Sequence, residues 1–286
     1  MATTINITKA SGERVPFSSD QLRGSLERSG TSPELAGKII SEVEQELYEG
    51  IPTKKIYRKA FAMLRKASKP YAAKYKLKQA IMELGPSGYP FEKYVAEILK
   101  YQGFSTQVDV VVKGHCVNHE IDVLAEKENK YFMVECKYHN TTGIICDVKI
   151  PLYIQARFKD VEQEWISLPD HQGKEHVGWV VTNTRFSEDA IQYGRCVGLN
   201  LIGWDFPKKG GLREQIDNSR LYPITCLNTL TKTEKQRLLD NKIVLCKELA
   251  GNTQLLQSIG IRVDRMDIIL KEVNTLCSQT SKKLPE

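Results

Sequence analysis

Three charged residues near the middle of the chain have types and spacing that suit hydrolysis of a phosphodiester. Glu135 and Lys137 stand two apart at the end of an apolar run, so on a strand their side chains point to the same face. Asp122 lies in an earlier β-rich run, and the polar turn between the two runs predicts a hairpin that brings Asp122 beside Glu135. Carboxylate oxygens suit Mg²⁺ or Mn²⁺, and such an ion with a nearby lysine suits attack of water on a phosphate ester.

The setting of Glu135 distinguishes it from a second Glu-x-Lys sequence in the chain. Glu128-Asn129-Lys130 falls in the predicted turn, where charged residues are typical of a solvated loop. Glu135 instead ends an apolar strand, and a charge there costs desolvation unless it has a partner or a metal. The alternative for Glu135 and Lys137 is a surface ion pair at a strand end.

The motifs around this hairpin resemble those of the PD-(D/E)XK nuclease superfamily, and above all its Mrr-like branch of type IV restriction endonucleases. The resemblance covers residues 91 to 206. It rests on Gly85-Pro86-Ser87-Gly88-Tyr89-Pro90-Phe91-Glu92, a helix to Gln102, Gly103-Phe104, the hairpin with Asp122, and the Glu135-Cys136-Lys137 strand.

The resemblance implies a role for each residue of the hairpin site. Asp122 and Glu135 would ligate Mg²⁺ or Mn²⁺, the backbone carbonyl of Cys136 would complete the protein ligands, and Lys137 would position or deprotonate the attacking water. Two further residues match by position and would face the site: Glu92 of the first helix and Gln155 of the helix that follows the hairpin.

Residues 1–85 form a separate predicted domain of one small hairpin and four helices. Strand patterns flank the turn at Ser11-Gly12-Glu13-Arg14, Gln21 stands in the capping-box position of the first helix, and Ser32-Pro33 begins the second. The predicted helices run from Ser18 or Ser19 to Gly30, from Ser32 to near Gly50, from Thr53 to Lys66, and from Pro70 to Leu84.

This domain resembles the ATP-cone, a regulatory nucleotide-binding module, over residues 3–84. The matching positions are Lys9, Gly12, Val15-Pro16-Phe17, Ile51-Pro52-Thr53 with Ile56, and Ala73-Lys74-Tyr75. The resemblance implies that ATP or dATP binds as an effector. Basic residues suit its phosphates, and the candidates are Lys9, Arg14, Lys54 and Lys55. Gln21 and Lys74 depart from the family pattern, so a basic docking or dimerisation domain without nucleotide is the alternative.

The remaining segments complete an α/β (α+β) fold of three predicted domains, with boundaries at 1–85, 86–207 and 208–286. In the middle domain, a strand, a helix and a strand follow the site hairpin and predict a mixed sheet flanked by helices. Past a Lys208–Gly211 linker, helices are predicted from Thr231, over Ile243–Leu249, over Thr253–Ile259 and over Asp264–Cys277. Ile259-Gly260-Ile261 resembles the hairpin of helix-hairpin-helix DNA-binding modules. A packing bundle or an oligomerisation domain is the alternative.

Composition and charge narrow the class of protein. Hydrophobic residues make up 41% of 286 residues and charged residues 27%, as in soluble globular proteins. The absence of a long apolar run or a signal core predicts a cytoplasmic protein without membrane contact. Seven scattered cysteines without a Cys-x-x-Cys pair argue against a disulfide scaffold and a zinc ribbon.

The charge is unevenly divided along the chain. Residues 86–207 hold 12 Lys and Arg against 17 Asp and Glu, a net charge of −5, whereas residues 1–85 and 208–286 carry +6 and +5. Attraction to a polyanion such as DNA must therefore come largely from the flanking segments or from bound metal.

Together these features predict a metal-dependent DNA endonuclease, homo-oligomeric and regulated by ATP or dATP. The alternative is a non-catalytic, nucleotide-sensing regulator that binds nucleic acid. The joint presence of Asp122, Glu135 and Lys137 favours the enzyme. A phosphodiester site does not by itself distinguish DNA from RNA or from a nucleotide.

Overall fold

The computed structural model describes residues 5–278, which divide into two compact units. We call residues 5–80 with 222–278 the helical unit, and Ile81–Leu221 the sheet unit. Helices and mixed sheets occur together in the chain, which confirms the predicted α/β class. No helix in the described part of the chain is long and apolar enough to cross a membrane.

The first part of the helical unit is a small sheet with helices packed on it. Central strand β1 pairs antiparallel with β2 and parallel with β3. The elements are β1 (Asn6–Thr8), β2 (Arg14–Pro16), α1 (Ser19–Arg28), α2 (Pro33–Glu44), β3 (Ile51–Pro52), α3 (Thr53–Ala67), α4 (Lys69–Tyr75) and α5 (Leu77–Met82). Ser18 and Ser32 cap the first two helices through their side chains, and Leu26, Ile39 and Leu64 lie fully buried between the helices.

The sheet unit is a five-stranded mixed sheet with helices around it. Its elements are α6 (Tyr89–Tyr101), β4 (Ser105–Lys113), β5 (Asn118–Lys127), β6 (Lys130–Lys137), β7 (Ile145–Cys146), α7 (Lys149–Trp165), β8 (Glu175–Thr182), β9 (Arg185–Phe186), α8 (Glu188–Val197), β10 (Asn200–Ile202) and α9 (Leu212–Ser219).

The order of strands in this sheet follows from its two kinds of connection. Short turns join β4, β5 and β6 into an antiparallel meander. The helices α7 and α8 then return the chain so that β8 pairs parallel with β6, and β10 with β8, giving the order β10-β8-β6-β5-β4. A parallel neighbour requires such a crossover, and the predicted strand, helix and strand supply it.

The C-terminal part of the helical unit consists of α10 (Lys232–Asp240), α11 (Thr253–Ser258), α12 (Val263–Cys277) and short 3₁₀ turns. The predicted capping box at Thr231 and Glu234 is formed. Helix α12 packs against α4, and the hydroxyl of Thr225 donates to the carbonyl of Ala80 at 2.6 Å. Residues from the two ends of the chain therefore share one unit.

Three predicted helices end differently in the structure. Helix α2 ends at Glu44, because Gly50 N–H donates to the Asn6 carbonyl and Glu49 accepts from Asn6 N–H, which draws residues 45–50 toward β1. The predicted helix over Ile243–Leu249 is only a 3₁₀ turn over Cys246–Leu249, since the Glu248 carboxylate caps the preceding N–H groups. The predicted helix over Pro70–Leu84 is two helices, α4 and α5.

Helix α9 follows the predicted Lys208–Gly211 linker in the chain. Helix α9 belongs to the sheet unit, where Gln215 accepts from Gln102, the residue after α6, and the Leu221 carbonyl accepts from Tyr94. The change between the two compact units comes at residues 221–222, after α9. The division into three domains stays a prediction, and residues 5–80 and 222–278 form one unit.

Candidate active site

The site forms where β5 and β6 separate. Their antiparallel pairing runs up to Val123 opposite Val134, and continued by one step it would place Asp122 opposite Glu135. At that step the Asp122 carboxylate instead accepts the N–H of Cys136 at 2.6 Å. A side chain therefore replaces a backbone partner, and the sheet opens at the two carboxylates.

Glu135 is held by two cations. Its Oε1 accepts from Lys137 Nζ at 2.6 Å and its Oε2 accepts from Arg157 Nη1 at 2.7 Å. Only 7% of the Glu135 side chain is exposed, and burial makes such charge-assisted hydrogen bonds stronger than they are in water. The structure brings Asp122, Glu135 and Lys137 to one end of β6, as the two-residue spacing predicted.

Burial and crowding of negative charge alter the acidity of this site. Burial, aided by the charge of Glu135, raises the pKa of Asp122 to about 6, although the Cys136 N–H opposes the shift. Burial and the charge of Asp122 raise the pKa of Glu92 to about 7, with smaller effects of other nearby carboxylates. Perturbed acidity of this kind is common where carboxyl groups do chemistry.

Lys137 remains a cation in this setting. Burial lowers its pKa, but the hydrogen bond to Glu135 and the charges of Glu135 and Asp122 outweigh burial and raise the pKa above its usual value. The ammonium is therefore a stable positive charge beside two carboxylates. As an ammonium, Lys137 can donate a hydrogen bond to a water or a phosphate but cannot act as a base.

The two residues predicted by position come from helices on either side of the sheet. Glu92 lies in the first turn of α6 and is half-buried. Gln155 lies in the second turn of α7, and its Oε1 is buried without a hydrogen-bond partner among the described residues. Buried amide oxygens usually accept a hydrogen bond, and the described residues supply none to Gln155 Oε1.

Arg157, Asp109 and Glu120 are charged residues of the site for which no role was predicted. Arg157 lies two residues after Gln155, and its guanidinium also donates to the Glu120 carbonyl. Asp109 interrupts a run of valines in β4, adopts φ +59° and leaves the ladder at that step. Its carboxyl hydrogen-bonds with that of Glu120, which raises the Glu120 pKa. The sequence feature that could have identified Asp109 is its position as a single Asp within an apolar strand.

A second polar cluster holds the chain that follows Lys137. Asn183 is fully buried; its Oδ1 accepts from His139 N–H at 2.9 Å and its Nδ2 donates to the His139 carbonyl at 2.7 Å. The His139 ring lies 3.4 Å from Cys146 Sγ. Burial, aided by the charge of Lys137, lowers the pKa of His139, so a neutral imidazole borders the site.

The residues predicted to bind nucleotide lie in, or directly follow, the three strands of the small sheet in the helical unit. In the sheet, Thr8 pairs with Arg14 of β2 on one side and with Pro52 of β3 on the other. Lys9 comes directly after Thr8, and Lys54 and Lys55 come soon after Pro52 in the first turn of α3. Lys9 is paired with Glu13 at 3.0 Å, and Lys55 donates to the Tyr48 hydroxyl at 3.0 Å. Arg14, Lys54 and Lys55 are exposed, and 41% of the Lys9 side chain is exposed.

Most charged groups of the site are carboxylates, but their oxygens do not point to a common position. Among residues 5–278, no three His, Cys, Asp or Glu side chains surround a common point where a metal ion would fit. The reason lies in the contacts of the two central carboxylates. Glu135 faces two cations and Asp122 faces a backbone N–H.

Comparison with known proteins places the sheet unit in a recognised class. Residues 85–205 match the restriction endonuclease family represented by the Mrr catalytic domain. This segment, with its mixed sheet and its carboxylates at the opening of β5 and β6, is a restriction endonuclease-like domain.

The rest of the match identifies the family of the chain. Residues 222–277 match the C-terminal domain of AF1548-like proteins. An uncharacterized protein of Archaeoglobus fulgidus is 35% identical over 179 residues, which are 62% of this chain and 97% of that protein. The crystal structure of AF1548, a protein of unknown function, matches with a TM-score of 0.56 and 34% identity over 66% of this chain and 98% of that one. The chain belongs to the AF1548-like family.

Proposed function

We propose that this protein is a divalent-metal-dependent endodeoxyribonuclease. The observation that carries the proposal is the meeting of Asp122, Glu135 and Lys137 at the opening between β5 and β6, within a restriction endonuclease-like domain. Two carboxylates and an ammonium at one point are the groups that hydrolysis of a phosphodiester with Mg²⁺ or Mn²⁺ requires.

The donors present are of the chemical type that such an ion prefers. Asp122 and Glu135 supply carboxylate oxygens from neighbouring strands, and the Cys136 carbonyl lies between them and Lys137 along the chain. The buried, unpartnered Oε1 of Gln155 is one further oxygen that lacks a donor. When bound, a divalent ion stabilises charge that develops on the phosphate and lowers the pKa of water.

The protein groups then divide the remaining work. Lys137 is a stable cation on the same face as Glu135, where it orients a water molecule by donating to its oxygen. Glu92, with a pKa of about 7, exchanges a proton near neutral pH and suits transfer to or from a water or a leaving oxygen. Asp122 holds the strand opening in shape through the Cys136 N–H.

Cleavage of defined polymers tests the proposal. The full chain is incubated with supercoiled, linear and single-stranded DNA and with RNA, in Mg²⁺, in Mn²⁺ and in EDTA. We expect metal-dependent cutting of DNA, and a loss of about 10²-fold or more in Asp122→Ala, Glu135→Ala and Lys137→Ala. Lys130→Ala alters the second Glu-x-Lys sequence, whose lysine pairs with Glu175 at a surface position, and is the matched control with normal activity. Cutting in EDTA, or full activity of Lys137→Ala, would falsify the assignment.

We also propose that ATP or dATP binds the helical unit and changes how copies of the chain associate. Support comes from the strand register, which pairs Thr8 with Arg14 and with Pro52, next to Lys9 and to the start of α3 with Lys54 and Lys55. The Lys9 ion pair and the Lys55 hydrogen bond are exposed and worth little, so phosphates can replace them.

Nucleotide binding, mass in solution and cleavage rate test this regulation together. Calorimetry with ATP and dATP should show binding to the wild type and weaker binding to Lys9→Ala. At least one nucleotide should change both the mass and the cleavage rate. Lys66→Ala, at the exposed far end of α3, is the control. Absence of binding at millimolar nucleotide would leave residues 1–85 as a basic docking domain.

A further inference from the structure

The ion pair between Arg157 and Glu135 suits replacement of the arginine by another cation. Lys137 and Arg157 between them occupy both oxygens of Glu135, at 2.6 and 2.7 Å. The Arg157 side chain is 13% exposed and that of Glu135 is 7% exposed. A buried carboxylate without a counter-ion is strongly disfavoured, so Glu135 needs a cation whether or not a metal ion is bound.

The two cations reach Glu135 from different elements. Lys137 follows Glu135 by two residues on the same strand, so its amine stays near that carboxylate. Arg157 comes from α7, 22 residues away in sequence, and reaches Glu135 through a long side chain. Its guanidinium lies 5.5 Å from the ring centre of Tyr153, a tyrosine that is 59% exposed. Besides Glu135, Arg157 thus contacts the Glu120 carbonyl and a ring on the solvent side of α7.

The local charge explains why an extra cation is present. Five carboxyl groups influence one another here: Glu92, Asp109, Glu120, Asp122 and Glu135. Two cations act on these carboxyl groups: Lys137 and Arg157 on Asp122, and Arg157 also on Glu120. Negative charge therefore exceeds positive charge in the described site, and a divalent cation is the kind of ligand that corrects the balance.

We propose that Arg157 is the counter-ion of Glu135 in the metal-free protein, that a divalent cation takes its place on Oε2, and that the released guanidinium binds a phosphate of the nucleic acid. This inference rests on the proposed nuclease function and extends it by naming the residue that couples metal binding to substrate binding. Arg157 is thereby a substrate-binding residue that also acts as a competitor of the metal. A planar guanidinium matches the two oxygens of a phosphate as well as those of a carboxylate.

The competition predicts an effect opposite in sign to that of a supporting residue. If Arg157 only held Glu135 in position, its loss would weaken metal binding. If it competes with the metal, its loss frees Oε2 and strengthens metal binding. The Arg157→Ala protein is therefore expected to bind metal more tightly and DNA more weakly than the wild type.

Calorimetry with Mn²⁺ on the full chain, without DNA, measures the first effect. We expect Arg157→Ala to lower the Kd for Mn²⁺ about tenfold and Arg157→Lys to lie between it and the wild type. Lys159→Ala, on the same helix and paired with Glu162 at the surface, is the matched control with unchanged Kd. Near-ultraviolet circular dichroism and the melting temperature establish that each variant is folded.

Binding of a duplex in Mg²⁺, measured in the Lys137→Ala background to prevent cutting, measures the second effect. Adding Arg157→Ala should weaken binding and reduce the slope of log K against log salt by about 1, the contribution of one phosphate contact. An unchanged slope would show that the guanidinium does not reach the phosphate, and would overturn that half of the proposal.

The outcomes separate this inference from the proposed function. Weaker or unchanged Mn²⁺ binding by a folded Arg157→Ala protein, with the wild type cutting DNA, overturns the exchange and leaves the nuclease standing. Tighter Mn²⁺ binding without cutting by the wild type supports the exchange and overturns the nuclease. Failure of both the wild type and Arg157→Ala to bind Mn²⁺ overturns both.

Discussion

At the scale of single residues, the raised pKa of Glu92 gives a direct test through the dependence of stability on pH. Its carboxyl has a pKa of about 7 in the folded chain, because burial and the charge of Asp122 disfavour ionisation. In the unfolded chain the pKa returns to about 4.3. The folded state therefore binds the proton more tightly, and stability from this group is complete below the unfolded pKa and is lost as pH rises through 7.

Glu92→Gln should remove this dependence, since an amide does not ionise. In EDTA, we expect the melting temperature of the wild type to fall between pH 5 and pH 8 by more than that of Glu92→Gln. The difference between the two proteins should be largest at pH 8, where the variant has no charge to bury at this position. Parallel curves for the two proteins across this range would show that folding does not raise the pKa of Glu92.

A second residue-scale prediction concerns Asn183. Its amide donates to one group of His139 and accepts from another, and it thereby fixes the chain two residues beyond Lys137. Asn183→Asp keeps the acceptor but places an oxygen against the His139 carbonyl. Because Asn183 is fully buried, we expect a loss of about 1–3 kcal/mol in unfolding free energy and slower cleavage.

Urea denaturation and the cleavage rate measure these two effects of Asn183→Asp. Asn140→Ala, at an exposed position in the same loop where the side chain accepts from the Thr141 hydroxyl, is the control and should change neither quantity appreciably. Normal stability of Asn183→Asp would mean that the clamp on His139 contributes little.

At the scale of elements, helix α7 is fastened to the turn between β4 and β5. Asp160 of α7 accepts from the N–H of Cys116 at 2.8 Å, from that of Val117 at 3.3 Å and from His119 Nε2 at 2.7 Å. These bonds fix the register of α7 against β5. The same helix carries Gln155 and Arg157, so the turn contributes to how both residues meet the site.

Gly114 makes this fastening possible, because a Cβ there would lie 2.6 Å from the Val117 carbonyl and would also collide with Asp160. Gly114→Ala should destabilise the chain by about 1–3 kcal/mol. Gly37→Ala is the informative contrast: its Cβ would meet nothing within 4 Å in the interior of α2, so it should stabilise by about 0.5–1 kcal/mol. Equal effects of the two changes in urea denaturation would contradict the packing described for the turn.

At the scale of the whole molecule, the two ends of the chain form one unit and the middle forms another. Residues 81–221 expressed alone should therefore fold and bind Mn²⁺ as the full chain does. Cutting at residue 208 instead should fail, since it removes α9 with Gln215 from its contact with Gln102. Calorimetry and circular dichroism distinguish the two fragments. Equal behaviour of fragments ending at 207 and 221 would show that α9 is dispensable.

Removal of residues 222–286 tests the other unit. It takes away α12, which packs on α4, and Thr225, which donates to the Ala80 carbonyl. We expect the remaining residues 1–80 to lose cooperative unfolding, because core side chains become exposed. A retained transition for this part of the chain, measured by hydrogen exchange, would mean that the N-terminal segment is stable by itself.

The sequence by itself determined the local features that depend on neighbours along the chain. Side chains two apart on a strand share a face, so Glu135 and Lys137 had to point the same way once the apolar run formed a strand. A turn between β-rich runs had to return Asp122 to the same place. Serine and threonine caps likewise set where α1, α2 and α10 begin, since these caps act within a few residues.

The tertiary structure decided what depends on residues far apart in the chain. Strand pairing alone does not reveal that Asp122 leaves the ladder to accept Cys136 N–H, nor that Arg157 crosses from α7 to Glu135. The raised pKa of Asp122 and Glu92 arises from burial and from charges on other elements. The joining of residues 222–278 with residues 5–80 is also a matter of packing. Such contacts depend on side-chain reach and burial in the folded chain, and no local pattern encodes them.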